Sequence, residues 1–374
     1  MEEFDYLIIG AGCSGLSLVY EMNKNKLLEN KTCAIIDLKK KFSRDKIWSF
    51  WKVFNHSFDD CILGEWKRLE IILKDNKVIL DCNSTPYQSI DSGKYYEKIF
   101  KDIKKNSNIF LYLDEKVIDC VEENGSVNTV CKNKTFKSKI VFNSLSQNLT
   151  RKEPTLYQHF LGCELQFKNV NIEEETPILM DFNCSQSENV HFFYCLPTKK
   201  NCLFIETTWI SKDKQFSEDR YKLEIENYIK ENFGLDTNYT LLNKEIGSIP
   251  LFHFESKIKN KNIIPIGSAA NLTRLSTGYT FLNIQKSSTH LVTKLLNKKK
   301  LDNWKISKKY IFFDKIFLKV LIEKKGNMAT IFFRLFKNNN SKSIIRFLSN
   351  VSSWLDDLRI ILSMPKWIFL KNIF

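Results

Sequence analysis

The stretch "DYLIIGAGCSGLSL", starting at Asp5, constrains the fold of this chain more than any other. An apolar strand ends at Gly10, and Gly12 and Gly15 follow as a helical stretch opens that reaches about Lys26. The first glycine permits a tight turn, the second lets backbone approach a pyrophosphate, and the third lets the helix pack against the strand. A second apolar strand, "TCAIID", ends at Asp37, roughly 20 residues beyond the turn, where dinucleotide-binding folds hold a ribose hydroxyl. Together these features predict a β-α-β unit with phosphate charge at a helix N-terminus.

The rest of the pattern predicts an α/β protein with a Rossmann-like FAD-binding domain, an inserted β-rich substrate domain and a helical C-terminal cap. Segments 1–65, 92–156 and 258–300 are assigned to the FAD-binding part. Within them a helix is expected over 92–105, a strand at "NIFLYLD", a hairpin over 116–137, and a return to the first sheet at "KIVFNS". Segments 66–91 and 157–257 are rich in strand patterns, broken by one amphipathic helix near 217–232. Such a long β-rich insertion favours FAD, because simpler nicotinamide domains finish their sheet without interruption. Residues 301–374 read as short helices dense in Phe, Ile, Leu, Trp, Lys and Arg. They suit a cap packed on the sheet, or a face that dips aromatic side chains into a membrane surface with Lys and Arg on headgroups.

With 57 Lys and Arg against 43 Asp and Glu, the chain carries a net charge of +14. No zinc finger, helix-turn-helix or RNA-binding aromatic motif accompanies that charge, so an anionic lipid surface is the expected partner and nucleic acid is not. The ten cysteines form no C-x-x-C pair, which predicts buried thiols and no metal centre. An acidic start that enters a strand at once predicts no signal peptide, and no run is apolar for long enough to span a bilayer.

"FIETTW" sets Glu206 between apolar neighbours, with Phe204, Glu206 and Thr208 on one strand face and Ile205, Thr207 and Trp209 on the other. A carboxyl there is either a satisfied edge residue or an acid whose pKa burial has raised. "IWSFW" and "HFFYCLP" supply Trp48, Phe50, Trp51, Phe193 and Tyr194. These aromatics suit a packed core, or a dry tunnel offering π-faces to a cation.

Taken together, the ordered landmarks "DYLIIGAGCSGLSL", "IWSFW", "QHFLGCEL", "PILMDF", "FFYCLPTKKNCLFIETTW", "EIGSIPL", "IGSAANLTRLSTGYTF" and "DDLRIILSMPKWIFL" resemble the lycopene cyclase family over essentially the whole chain, in its shorter bacterial form. The resemblance implies reduced FAD as cofactor, NAD(P)H as external reductant, and lycopene or γ-carotene as substrate. It implies that Glu206 is the acid/base of a redox-neutral β-ring closure, and that Gly267, Thr277, Gly278 and Tyr279 join the glycine turn and Asp37 around the flavin. Ser268 stands where flavin hydroxylases carry an acid after Gly267, which the resemblance makes a family trait. Asn143 and the Arg274-Leu275 pair depart from the more usual Asp and Lys/His-Pro. Peripheral attachment at the cytoplasmic face of the inner membrane follows from so apolar a substrate. An FAD-dependent reductase or hydroxylase of isoprenoid lipids is the alternative enzyme. A flavin-binding protein without catalysis is the alternative of another class.

Overall fold

The computed structural model describes residues 1–146, 149–152, 155–172, 177–186, 190–255, 260–323 and 327–372. The boundary expected at 257/258 lies outside them. Glu2–Ile9 is buried on both faces toward its C-terminal end and lies parallel to Cys33–Ile36 on one side and Thr135–Asn143 on the other. Ile109–Tyr112 extends the parallel set beyond Cys33–Ile36, and Ile263–Pro265 pairs in parallel with the end of Thr135–Asn143. The hairpin Val117–Glu123 and Ser126–Cys131 adds antiparallel strands at the other edge. Parallel strands need covered faces. Here the helices Cys13–Lys24 and Phe281–Leu296 pack together over one face, sharing a core of Leu16, Val19, Met22, Leu291 and Val292. The late strand and its helix thus return to the first β-α-β unit, giving the FAD-binding Rossmann-like architecture.

The inserted region forms a second sheet. Its order among the described residues is Tyr239–Pro250, Tyr157–Phe167, Cys202–Ser211, Val190–Lys199, Ile178–Asp181, Arg68–Leu73 and Asn76–Asp81. Every residue of Cys202–Ser211 is buried, which explains why its sequence reads as nearly continuous β-branched and aromatic side chains. One face of this sheet is covered by the helix Glu218–Phe233, where Tyr221, Ile225, Tyr228 and Ile229 meet Leu161, Phe193 and Ile205. Tyr87–Asp91 does not join it. That strand lies between Ile47–Trp51 and Ile62–Trp66 in a small antiparallel sheet that bridges the two large ones.

The helices Lys308–Glu323, Met328–Lys337, Ser341–Leu348, Trp354–Ser363 and Lys366–Leu370 follow. Phe332, Leu335 and Phe336 cover the other face of the second sheet, and Phe332 stacks on Phe182. The cap is tied to the flavin-type turn by Arg274, which is fully buried. Its Nε donates to Asp314 Oδ1 at 2.7 Å and its Nη1 to the Phe347 carbonyl at 3.1 Å. Asp314 Oδ2 also accepts from the Leu275 N–H at 3.0 Å. A buried guanidinium is costly to leave unpaired, so this pair fixes where the cap sits.

Candidate active site

Between the two sheets lies a cavity of about 530 Å³. Cys13 and Ser14, at the start of the first helix, form one end, and the cap residues Phe332, Phe336 and Leu348 form the other. Its walls come from the small sheet, through Trp48 and Trp51, and from the second sheet, through Phe160, Phe192, Tyr194, Glu206 and Glu245. Gly267, Ser268 and the Ser276–Thr280 stretch complete the wall.

The end near the first helix has the properties of a phosphate cradle. The Cys13–Lys24 helix has no side-chain N-cap and no acid in its first turn, so its leading N–H groups are left for a ligand. Gly10 has φ +97°, and a Cβ there would stand 2.1 Å from Ser144 Oγ. A Cβ on Gly15 would stand 1.9 Å from the Gly10 carbonyl oxygen, whereas one on Gly12 would meet nothing within 4 Å. Open space at the second glycine and tight packing at the other two fit backbone exposed to a dinucleotide. Asp37 braces the turn: Oδ2 accepts from the Ala11 N–H at 2.6 Å and Oδ1 from the Lys39 N–H at 2.7 Å. Gly267, Thr277, Gly278 and Tyr279 line the cavity, while Gly10, Gly12, Gly15 and Asp37 lie just outside its wall, continuing from Cys13 and Ser14. These residues fit FAD.

Glu206 lines the cavity from the second sheet and is only 8% exposed. Its strand alternates as the sequence requires. Thr208 Oγ1 donates to Glu206 Oε1 at 2.6 Å on the cavity face, while Thr207 and Trp209 donate to Glu224 of the covering helix on the other. Burial pushes the Glu206 carboxyl up to about 7, against the pull of the Thr208 hydroxyl and the Lys46 ammonium. Opposite Glu206 in register is Tyr194, whose hydroxyl donates to Tyr87 at 3.1 Å. Tyr87 approaches Tyr279 at 3.5 Å, and Trp51 meets both of their rings edge-on. Burial raises all three phenols, so they stay neutral and present dipoles and π-faces to the cavity.

Two aromatics expected in the tunnel are elsewhere. Phe193 alternates with Tyr194 and so points to the opposite sheet face, stacking on Tyr228 with ring centroids 4.1 Å apart. Phe50 stacks on Phe281 at 4.9 Å inside the core of the first domain. Alternation accounts for Phe193 beside Tyr194, whereas Phe50 is taken up by its stack on Phe281. The sequence reading also missed Glu245 and Lys46, which the fold brings to Glu206. The acid within the apolar "EIGSIPL" strand was the available signal. Among the described residues no cluster could hold a metal ion, and all ten cysteines are free.

The raised carboxyl has a consequence for stability. Between its ordinary value of 4.5 and about 7 the folded chain binds a proton that the unfolded chain releases, so stability falls as pH rises through that window. The slope is at most about 1.4 kcal/mol per pH unit. His159 and His191, lowered by burial, act in the opposite sense but equally in both proteins compared. Relative to the double variant Glu206→Gln/Glu245→Gln, which lacks both raised carboxyls, the unmodified protein should therefore lose urea resistance from about pH 5 to about pH 7.5. Parallel curves would show that neither carboxyl is held protonated.

Known structures share this fold at low identity. A geranylgeranyl bacteriochlorophyll reductase-like protein from Thermoplasma acidophilum is 14% identical over 100% of both chains, with TM-score 0.65. A flavoprotein/dehydrogenase from Cytophaga hutchinsonii is 12% identical over 99% of both chains, with TM-score 0.67. The halogenase PltM, solved with phloroglucinol and FAD, is 11% identical over 92% of this chain and 82% of its own, with TM-score 0.61. No curated protein matches in sequence. The family model described as lycopene cyclase protein matches residues 5–372, nearly the whole chain, and the protein belongs to the lycopene cyclase family.

Proposed function

We propose that the protein is a lycopene β-cyclase that closes the linear ends of lycopene or γ-carotene into β-rings. The observation that carries this reading is Glu206, a carboxyl held able to give a proton at neutral pH inside an aromatic cavity. Glu206 donates its proton to C2 of the terminal C1=C2 bond, leaving a tertiary cation at C1. The C5=C6 bond attacks that centre, a six-membered ring forms, and the charge moves to C5. Loss of the C6 proton gives the β-ring, so the substrate is isomerised with no net electron transfer. Reduced FAD, held by the glycine turn, Asp37 and the Gly267 and Thr277–Tyr279 segments and kept reduced by NAD(P)H, would supply electron-rich stabilisation of the positive charge. Trp48, Trp51, Tyr87, Tyr194 and Tyr279 exclude water that would otherwise hydrate the cation.

Expression in a lycopene-accumulating host tests this directly. β-Ring carotenoids should appear, and the purified protein should carry noncovalent flavin that Gly12→Glu loses. Glu206→Gln should keep its flavin while cyclisation falls by ~10²–10⁴-fold or more. A flavin-loaded protein that makes no cyclic product, or that consumes NAD(P)H stoichiometrically with product, would favour the reductase or hydroxylase reading.

The occupant we propose for the outer face of the cap is an anionic bilayer surface at the cytoplasmic side of the inner membrane. No helix of the described residues is long and apolar enough to cross a membrane. The helix Trp354–Ser363 is nonetheless inverted. Its Asp356 and Asp357 point inward to Arg346 and Lys309, while Leu355, Leu358, Ile361 and Leu362 point outward beside Trp354, which is 72% exposed. Trp367, 81% exposed, continues this face between exposed Lys366 and Lys371. Apolar residues outside and satisfied carboxylates inside suit a lipid interface, where basic residues meet headgroups. The protein should sediment with anionic vesicles, release in part at high salt, and bind less well as Lys366→Glu/Lys371→Glu. Failure to sediment at low salt would exclude the lipid surface.

A further inference from the structure

Glu245 lies two strands from Glu206. In the second sheet Gly162 faces Glu206 on one side and Glu245 on the other, so the two acids are separated by two strand spacings, roughly 9.5 Å between backbones. The residue between them has no side chain, and a Cβ there would stand 2.2 Å from the Phe204 ring. The tip of the Phe204 ring fills that place, so the two carboxyls flank it on the cavity wall, and the charge of Glu206 acts on Glu245. Glu245 is 4% exposed, and its Oε2 is buried with no hydrogen-bond partner although it lines the cavity. An unpartnered carboxyl oxygen at such a place is costly unless a proton is shared or a ligand arrives.

We propose that Glu245 is the proton-sharing partner of Glu206: the two cavity carboxyls in register on either side of Gly162 hold one proton between them. The inference rests on the cyclase reading and assigns Glu245 a role through Glu206 rather than on the substrate. The proton balance closes. One proton leaves the pair for C2, one returns from C6, and no electron moves. During the cationic stage the pair is doubly ionised, and Lys46 is the cation beside it, since its Nζ donates to the carbonyl of Ile246, next to Glu245. The remaining groups facing the pair are Tyr194, Thr208 and Arg44. Arg44 is itself engaged by Glu164 at 2.6 Å and Asp91 at 3.4 Å. Burial first, and then the charge of Glu206, push the Glu245 carboxyl well above the carboxylate range, while Lys46, the Ile47 N–H and Arg44 draw it down. Two like charges in one buried site cannot both ionise readily, so the pair keeps a proton to higher pH than either acid would alone.

The test is the pH profile of cyclisation by Glu245→Gln, with lycopene supplied in vesicles. With one carboxyl left, the alkaline limb should move to lower pH by about one unit or more, and Glu245→Asp should move it part of the way back. A uniform loss of rate with the limb unmoved would make Glu245 merely structural and overturn the proposal. Infrared titration gives a readout independent of activity and of the Gln variant's folding. The carboxylic-acid carbonyl band of the unmodified protein should persist to higher pH than in Glu206→Gln, where Glu245 stands alone. Loss of the band at the same pH in both would overturn the pairing. Absence of cyclic product from the unmodified protein at every pH would instead reject the cyclase reading, and the infrared comparison would still decide the pair.

Discussion

Keeping a carboxyl group protonated at neutral pH requires that water be removed from around it while its fold-mates tolerate its presence. In this protein the requirement is met by the middle of a sheet. Glu206 sits on a strand buried along its whole length, with neighbours on both sides and a helix sealing the reverse face. On that reverse face His159 bonds Tyr221 and Ser211, and His191 Nε2 bonds Thr207. Among the described residues, the buried carboxyl oxygen without a partner is that of Glu245, on the cavity face.

Other parts of the architecture serve that enclosure. The small three-stranded sheet brings Trp48, Trp51 and Tyr87 to the cavity from the side of the first domain, and the preceding segment delivers Lys46. The cap closes the opposite end with phenylalanines, and the buried Arg274–Asp314 pair joins it to the turn that also lines the cavity. Arg274, a departure from the residues usual before "STGY", has therefore found a structural use: it holds cap and turn in one register. Asp314 is hydrogen-bonded through Arg274 and the Leu275 N–H, while the Arg274 guanidinium, whose Nη2 has no hydrogen-bond partner among the described residues, lies over the Tyr310 ring at 4.6 Å.

Much of this was legible in the sequence because it is local. The glycine turn, the Asp37 strand end, the hairpin at 116–137 and the return at "KIVFNS" each depend on neighbours a few residues away, and the strands appear at Ser126–Cys131 and Thr135–Asn143 accordingly. Alternation also gave the correct face for Glu206. What escaped was non-local or a matter of parity. Glu245 meets Glu206 only through a register across Gly162, which no spacing along the chain reveals. Phe50 and Phe193 look equivalent to Trp51 and Tyr194 by composition, but alternation turns Phe193 to the other sheet face and Phe281 takes up Phe50. The outward leucines of Trp354–Ser363 became meaningful only once the inward carboxylates were seen to be paired.

The central claim is that cyclisation begins with proton transfer from a buried acid to a carbon atom. It is tested most directly by running a single turnover in heavy water with protein equilibrated there beforehand. If the buried acid starts the reaction, each ring formed carries one solvent-derived deuterium at C2. Rings containing only protium at C2 would contradict the account.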